Sequence, residues 1–285
     1  MEVTAMPIET RRFQARDGVR LVGDVGGDPR APTVVLMHGG GQTRHSWSGA
    51  LRALVDAGYH VINYDARGHG ESDWSRDGDY SMSLRARDLG DVLAGVGGPV
   101  ALVGASMGGA TSLFAIGEAS APRPAALVMV DIVPRPNIAG TDRIRAFMAA
   151  NPEGFASLDE AADAVAAYNH HRPRPKDPSG LARNLRRRGD RWFWHWDPRM
   201  LDSVNIDVRG ETMTRHAAGI DFPTLLVRGM ASDIVDEAGV EAFRAALPDL
   251  EVFNVRGAGH MVAGDRNDVF NEGVLGFLGR VMPPR

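Results

Sequence analysis

Short apolar runs that alternate with segments of helical spacing constrain this chain more than any other feature. The run TVVLMHGGG (33–41) is continuous and apolar until it reaches its glycines, the pattern of a strand buried on both faces. WSGALRALVDAGYH (47–60) then has helical spacing, and HVINYDARGHGES (60–72) repeats strand followed by loop. SLRARDLGDVLAGV (83–96) predicts another helix, VALVGA (100–105) another buried strand, then a helix over 107–119 and the strand AALVMVDI (125–132). Further on come TLLVRG (224–229), a helix over 237–247, LEVFNV (250–255) and a final helix over 266–281. Such alternation implies βαβ units, hence an α/β fold with a mainly parallel twisted sheet and helices on both faces. Residues 10–26 read as a hairpin turning at Asp17-Gly18,.

The regularity stops between residues 134 and 216. That stretch holds helix-like segments, a proline-rich link HHRPRPKDPSG (170–180) and the aromatic cluster RWFWHWDPRM (191–200), with no buried strand evident. The expected division is therefore a core of 1–133 and 217–285 carrying a helical cap or lid at 134–216. A chain of 285 residues suits one core of this kind with an insertion,.

Composition narrows the function classes. A net charge of −4 offers no basic excess for nucleic acid,. The absence of cysteine excludes disulfides, thiolate metal sites and cysteine nucleophiles,. The N-terminal residues lack an apolar signal region, and no stretch approaches the roughly 20 apolar residues a spanning helix needs. The expectation is a cytoplasmic protein acting on a small-molecule substrate, with no membrane or nucleic-acid partner; its oligomeric state is not legible.

The segment VALVGASMGGATSLF (100–114) places Ser106 between Gly104 and Gly108, where a strand turns into a helix. A turn that sharp leaves no room for side chains beside it and forces the serine into a strained, exposed position at the sheet's C-terminal edge. The Met107 N–H opens the following helix and can donate to an anion. A serine becomes a nucleophile only with a base that is itself oriented by a third group. His260, in VRGAGHMV, follows the last strand, and Asp233, in VRGMASDIV, follows the strand before it. Asp131, at the end of ALVMVDI, is the alternative acid.

These motifs in this order resemble the α/β-hydrolase family. HGGG (38–41) is similar to its oxyanion loop, DARGHGES (65–72) to its D-x-R-G-x-G-x-S loop, GASMGG (104–109) to its nucleophile elbow, and the GMASD and GAGH segments to its acid and base loops. The resemblance implies Ser106 as nucleophile, His260 as general base, Asp233 as the acid that orients it, and an oxyanion held by the N–H groups of Gly40 and Met107. It implies hydrolysis of a carboxylic ester, or a related acyl bond, of a small to medium apolar substrate through an acyl-serine. The same machinery serves cofactor-free haloperoxidases (perhydrolases) and carbon–carbon bond hydrolases. A non-catalytic small-ligand receptor is the alternative of another class. Epoxide hydrolases and haloalkane dehalogenases of this fold place an aspartate where Ser106 stands, so neither chemistry is expected.

Other residues carry plainer expectations. His38 and His69 are expected to shape their loops, and Asp65 to pair with Arg67 or cap its own loop. Trp192, Trp194 and Trp196, with Trp47 beside the first glycine motif, are candidates for the wall of an apolar pocket. His170 and His171 are weaker candidates for substrate contact. Arg172, Arg174, Lys176 and Arg186 to Arg188 read as solvated charges. No metal constellation and no nucleotide-binding glycine pattern occurs, so no metal and no cofactor is implied.

Overall fold

The computed structural model describes residues 7–169, 174, 176–201, 206–262 and 267–284, with side chains described outside 206–208. Eight strands form one sheet: β1 (Glu9–Gln14), β2 (Arg20–Gly26), β3 (Thr33–Met37), β4 (His60–Tyr64), β5 (Val100–Ala105), β6 (Ala126–Val130), β9 (Thr224–Gly229) and β10 (Glu251–Val255). Their order is β1-β2-β4-β3-β5-β6-β9-β10. β1 runs antiparallel to β2 and β2 to β4, while every other pairing is parallel. β1 and β2 are the expected hairpin, turning at Gly18 with φ 87°.

Period-two alternation splits the central strands between two cores. Val35 and Met37 of β3 and Leu102 of β5 face one core. Val34, Leu36, Ala101 and Val103 face the other. The first core is covered by α2 (Met82–Val92), α3 (Met107–Gly117), α6 (Ile206–Ala218) and α7 (Glu237–Ala246). The second is covered by α1 (Ser48–Asp56) and α8 (Asn267–Val281). Each of these central strands is therefore apolar on both faces because each face meets a helical layer.

Between β6 and β9 the chain forms α4 (Ile138–Ala149), α5 (Leu158–Tyr168), 3-10 turns and a small hairpin of β7 (Leu185–Arg188) and β8 (Arg191–Trp194). A hairpin replaces the all-helical expectation. Its strands are short, arginine-rich and aromatic rather than apolar runs, and they turn at Gly189-Asp190, where Gly189 has φ 62°,. Trp194, Trp196, Phe155, Met148 and Tyr80 form a third cluster beneath this segment. The helix that closes it, α6, packs into the main core through Met213 and Ala217. Arg186 is half-buried, donates to the Gly70 carbonyl and lies over Trp74, so it is packed rather than simply solvated, while Arg188 also lies over Trp74 but stays exposed. His170, His171 and Arg172 lie outside the described residues.

Candidate active site

β5 ends at Ala105, and the next residue, Ser106, has φ 46° and ψ −108° before α3 begins. A non-glycine residue held there is strained and persists only where its surroundings over-determine it. They do so here: the Ser106 N–H donates to Val130 O at 3.1 Å, and its carbonyl accepts from Ala110. A Cβ on Gly104 would collide with the Gly108 and Gly109 backbone, and one on Gly108 with the Met37 carbonyl. The elbow can be this tight only with glycine at both places.

Ser106 and His260 line the same cavity, of about 360 Å³, lying under the segment between β6 and β9. His260 follows β10, and its Nδ1 lies 2.8 Å from Oδ2 of Asp131. Asp131 is fully buried, sits directly after β6 at φ 48°, and has each carboxylate oxygen engaged. Oδ1 accepts from the Gly229 N–H at 2.9 Å; Oδ2 accepts from the Ser232 hydroxyl as well as facing His260. With Nδ1 turned to the carboxylate, the other ring nitrogen, Nε2, is left for the cavity.

The expectation that Asp233 would hold His260 is corrected by this geometry. Asp233 pairs instead with Arg143, with 36% of its side chain exposed. The loop after β9 contributes Ser232, for which no motif speaks in the sequence, as a hydrogen-bond donor to Asp131. Strand adjacency separates the two acids. β6 is hydrogen-bonded to β5, the nucleophile strand, and Asp131 immediately follows it, whereas Asp233 stands four positions beyond the end of β9.

The glycine loop after β3 is held from three sides by histidines. His38 has Nδ1 2.8 Å from its neighbour's carbonyl, Gly39 O, and accepts the Ala66 N–H at Nε2. His69 accepts the Gly41 N–H at Nε2. His195, from the segment between β6 and β9, accepts the Gly70 N–H at Nδ1 and reaches Gly41 O with Nε2. Each ring thus accepts at one nitrogen and needs its single hydrogen on the other, the neutral form. Burial lowers the proton affinity of all three, and that of His195 falls to about 3. Their rings follow one another at centroid separations of 4.9 and 5.7 Å.

Within that loop the Gly39 N–H is taken by Gln42 Oε1 at 3.1 Å and the Gly41 N–H by His69. Gly39 lies against Ser106, a Cβ there falling 3.4 Å from the serine Cβ. Gly40 and Met107 both border the cavity, and neither backbone N–H has a hydrogen-bond partner among the described residues.

Asp65 is buried and accepts from the Arg44 backbone and guanidinium and from the Glu71 N–H. It caps its own loop, as expected, but pairs with Arg44 and not Arg67. Arg67 instead bridges Asp88 and Asp17. These three ion pairs tie the 65–72 loop to its neighbours.

The aromatic candidates separate. Trp194 and Trp196 border the cavity and stack at 4.8 Å and 11°. Trp47 does not: it is buried in the second core against Phe270, on the face of the sheet covered by α1 and α8. Trp192 does not either: it is half-buried against the third cluster, with Arg187 over its ring and its backbone paired with Phe155. For Trp47, proximity in sequence to the glycine loop does not fix which side of the sheet the ring takes,.

Among the described residues no group of three or more potential metal ligands gathers, and no helix is long and apolar enough to cross a membrane. The alpha/beta hydrolase fold family matches residues 32–266. Esterase Rv0045c of Mycobacterium tuberculosis is 30% identical over 257 residues, covering 87% of this chain and 83% of the esterase. Non-heme chloroperoxidase CPO-A1 of Kitasatospora aureofaciens is 30% identical over 294 residues, covering 96% of this chain and 100% of its own. A solved structure of the M. tuberculosis esterase superposes with a TM-score of 0.77 at 26% identity, covering 98% of this chain and 93% of that one. The chain belongs to the alpha/beta hydrolase family and is an enzyme of the hydrolase class.

Proposed function

We propose that the protein is a serine esterase that cleaves a small to medium acyl substrate through an acyl-enzyme, with Ser106, His260 and Asp131 as its triad. One observation carries this reading. A serine held in left-handed geometry borders the same cavity as a histidine whose far nitrogen is anchored on a buried carboxylate. That is the arrangement an unactivated hydroxyl requires before it can attack.

In the proposed cycle Ser106 Oγ attacks the substrate carbonyl carbon while its proton passes to His260 Nε2. The carbonyl oxygen becomes an oxyanion and is stabilised by the unpartnered N–H groups of Gly40 and Met107, donors of a kind worth about 3 kcal/mol each. Asp131 keeps the hydrogen of the resting imidazole on Nδ1 and stabilises the imidazolium. The tetrahedral species collapses as His260 gives its proton to the leaving alcohol. A water then attacks the acyl-serine, losing its proton to His260, and the acid departs as the serine is re-protonated. The segment over 134–216 serves as the lid, with Trp194 and Trp196 as its apolar lining.

The test is release of p-nitrophenol from p-nitrophenyl butyrate by the purified protein. Turnover by the wild type, abolished in Ser106→Ala with an unchanged melting curve, supports the reading; residual full activity in Ser106→Ala overturns it. The resemblance to a chloroperoxidase over nearly the whole chain favours a second reading, perhydrolysis by the same serine. Peracetic acid formation from acetate and peroxide that outpaces ester cleavage would support that reading.

A further inference from the structure

The cavity is not as apolar as its tryptophans suggest. Three arginines, Arg85, Arg145 and Arg209, border it, and no carboxylate does among the described residues. Arg85 has a local account: it donates to Tyr80 O, lies over the Tyr80 ring and is near Asp88. Arg145 and Arg209 have none of that kind. The guanidinium of Arg145, on α4, donates to the Leu201 carbonyl at 3.2 Å, a neutral partner. Arg209, on α6, has no hydrogen-bond or ion-pair partner among the described residues, and its charged neighbours are Arg145 and Arg85. Burial, and then the charge of Arg145, lower its proton affinity. Asp88, the carboxylate whose charge reaches Arg85, is already committed to Arg67.

Two partly buried cations beside one another on the wall of one cavity cost solvation and repel, and a counter-charge of the right shape relieves both. Guanidinium groups match carboxylates in a planar, two-pronged geometry. We infer that the substrate carries a carboxylate seated between Arg145 and Arg209, so that the enzyme acts on a monoester of a dicarboxylic acid rather than on a simple alkyl ester. This rests on the serine-esterase reading for the chemistry, but the anion seat itself does not. Arg145 comes from the start of the segment and Arg209 from the helix that closes it, so a bound carboxylate would also tie the two ends of that segment together. A cavity of about 360 Å³ accommodates a five-carbon diacid monoester,.

The experiment has two arms. In the first, kcat/KM is measured for 4-nitrophenyl hydrogen glutarate and for neutral 4-nitrophenyl butyrate with wild type, Arg145→Gln and Arg209→Gln, each checked by its melting curve. The wild type should prefer the anionic ester at least tenfold, and each variant should lose most of that preference, with Arg209→Lys restoring part of it. A wild-type ratio near one, or an unchanged ratio in both variants, overturns the inference. In the second arm, calorimetry on Ser106→Ala follows binding of glutarate, its neutral diamide and inorganic phosphate. Glutarate should bind, tenfold more weakly once Arg209→Gln or Arg145→Gln is added, and the diamide should not. Phosphate binding tighter than glutarate overturns the carboxylate assignment. Glutarate binding that depends on both arginines, in a protein that hydrolyses neither ester, would uphold the anion seat and overturn the esterase reading.

Discussion

His260 faces Asp131 across the rim of the sheet, Nδ1 2.8 Å from Oδ2, while Asp233 is turned toward Arg143. Asp131→Asn therefore should lower kcat by about 10⁴-fold, because the amide no longer holds the imidazole in the tautomer that can accept the serine proton. Asp233→Asn should remove only an exposed ion pair worth ~1 kcal/mol or less and leave ester turnover within a few-fold. Steady-state kinetics on p-nitrophenyl butyrate separate the two variants, and the opposite ranking would return the acid role to the loop after β9.

Acid should loosen the fold through the histidines behind the glycine loop. His195 has its proton affinity lowered by burial from the ordinary 6.5 to about 3. Between those values the unfolded chain binds a proton that the native ring refuses, so stability falls as pH drops below about 6.5 and keeps falling toward 3. Each such ring contributes a slope of about 1.4 kcal/mol per pH unit within the window. Urea midpoints at pH 7 and pH 5 should differ in this direction, and His195→Gln should make the slope shallower. An equal slope in the variant would show that His195 is not among the groups responsible.

The tryptophans should divide into stability and substrate effects. Trp47→Ala empties a site packed against Phe270 and should cost ~3–5 kcal/mol in urea denaturation, with kcat/KM of the folded fraction little changed. Trp47→Phe should cost much less, because the buried indole N–H has no partner to lose. Trp194→Ala should act on KM and shift the preferred acyl length upward, which a chain-length series of p-nitrophenyl esters measures.

Gly108→Ala forces a methyl onto the Met37 carbonyl, at the end of the strand that leads into the glycine loop. Displacing that loop relative to Ser106 by ~1 Å should cost on the order of 10²-fold in kcat. Labelling of Ser106 by a fluorophosphonate should slow in parallel while the circular dichroism spectrum holds. Full activity in this variant would mean that the elbow and the loop are less tightly coupled than their contact implies.

Much of the fold was legible because its strands are buried on both faces. β5 and β9 begin and end where their apolar runs do, and α3 starts at Met107 as the elbow demands. Ser106, His260 and the glycine loop announce themselves through local steric needs that leave a mark in the sequence. What stayed hidden depends on direction in space. Asp131 and Asp233 both follow strands, and only the neighbouring of β5 and β6 decides which one reaches His260. Trp47 and Trp194 are alike in composition and differ in the side of the sheet they meet. Arg145 and Arg209 lie 64 positions apart, by 209 − 145, and only their shared cavity marks them as a pair.

Ser106 and Asp131 cap adjacent strands, and the Ser106 N–H donates to Val130, the residue just before Asp131. In the proposed mechanism the attacking group and the anchor of its base are thus bolted to one rigid plate, upstream of the segment that roofs the pocket. Exchange of the roof between relatives, from the residues after β6 to those before α6, can redraw what enters without retuning the proton relay. An enzyme assembled this way separates what it accepts from how it reacts, and diversifies by the first alone.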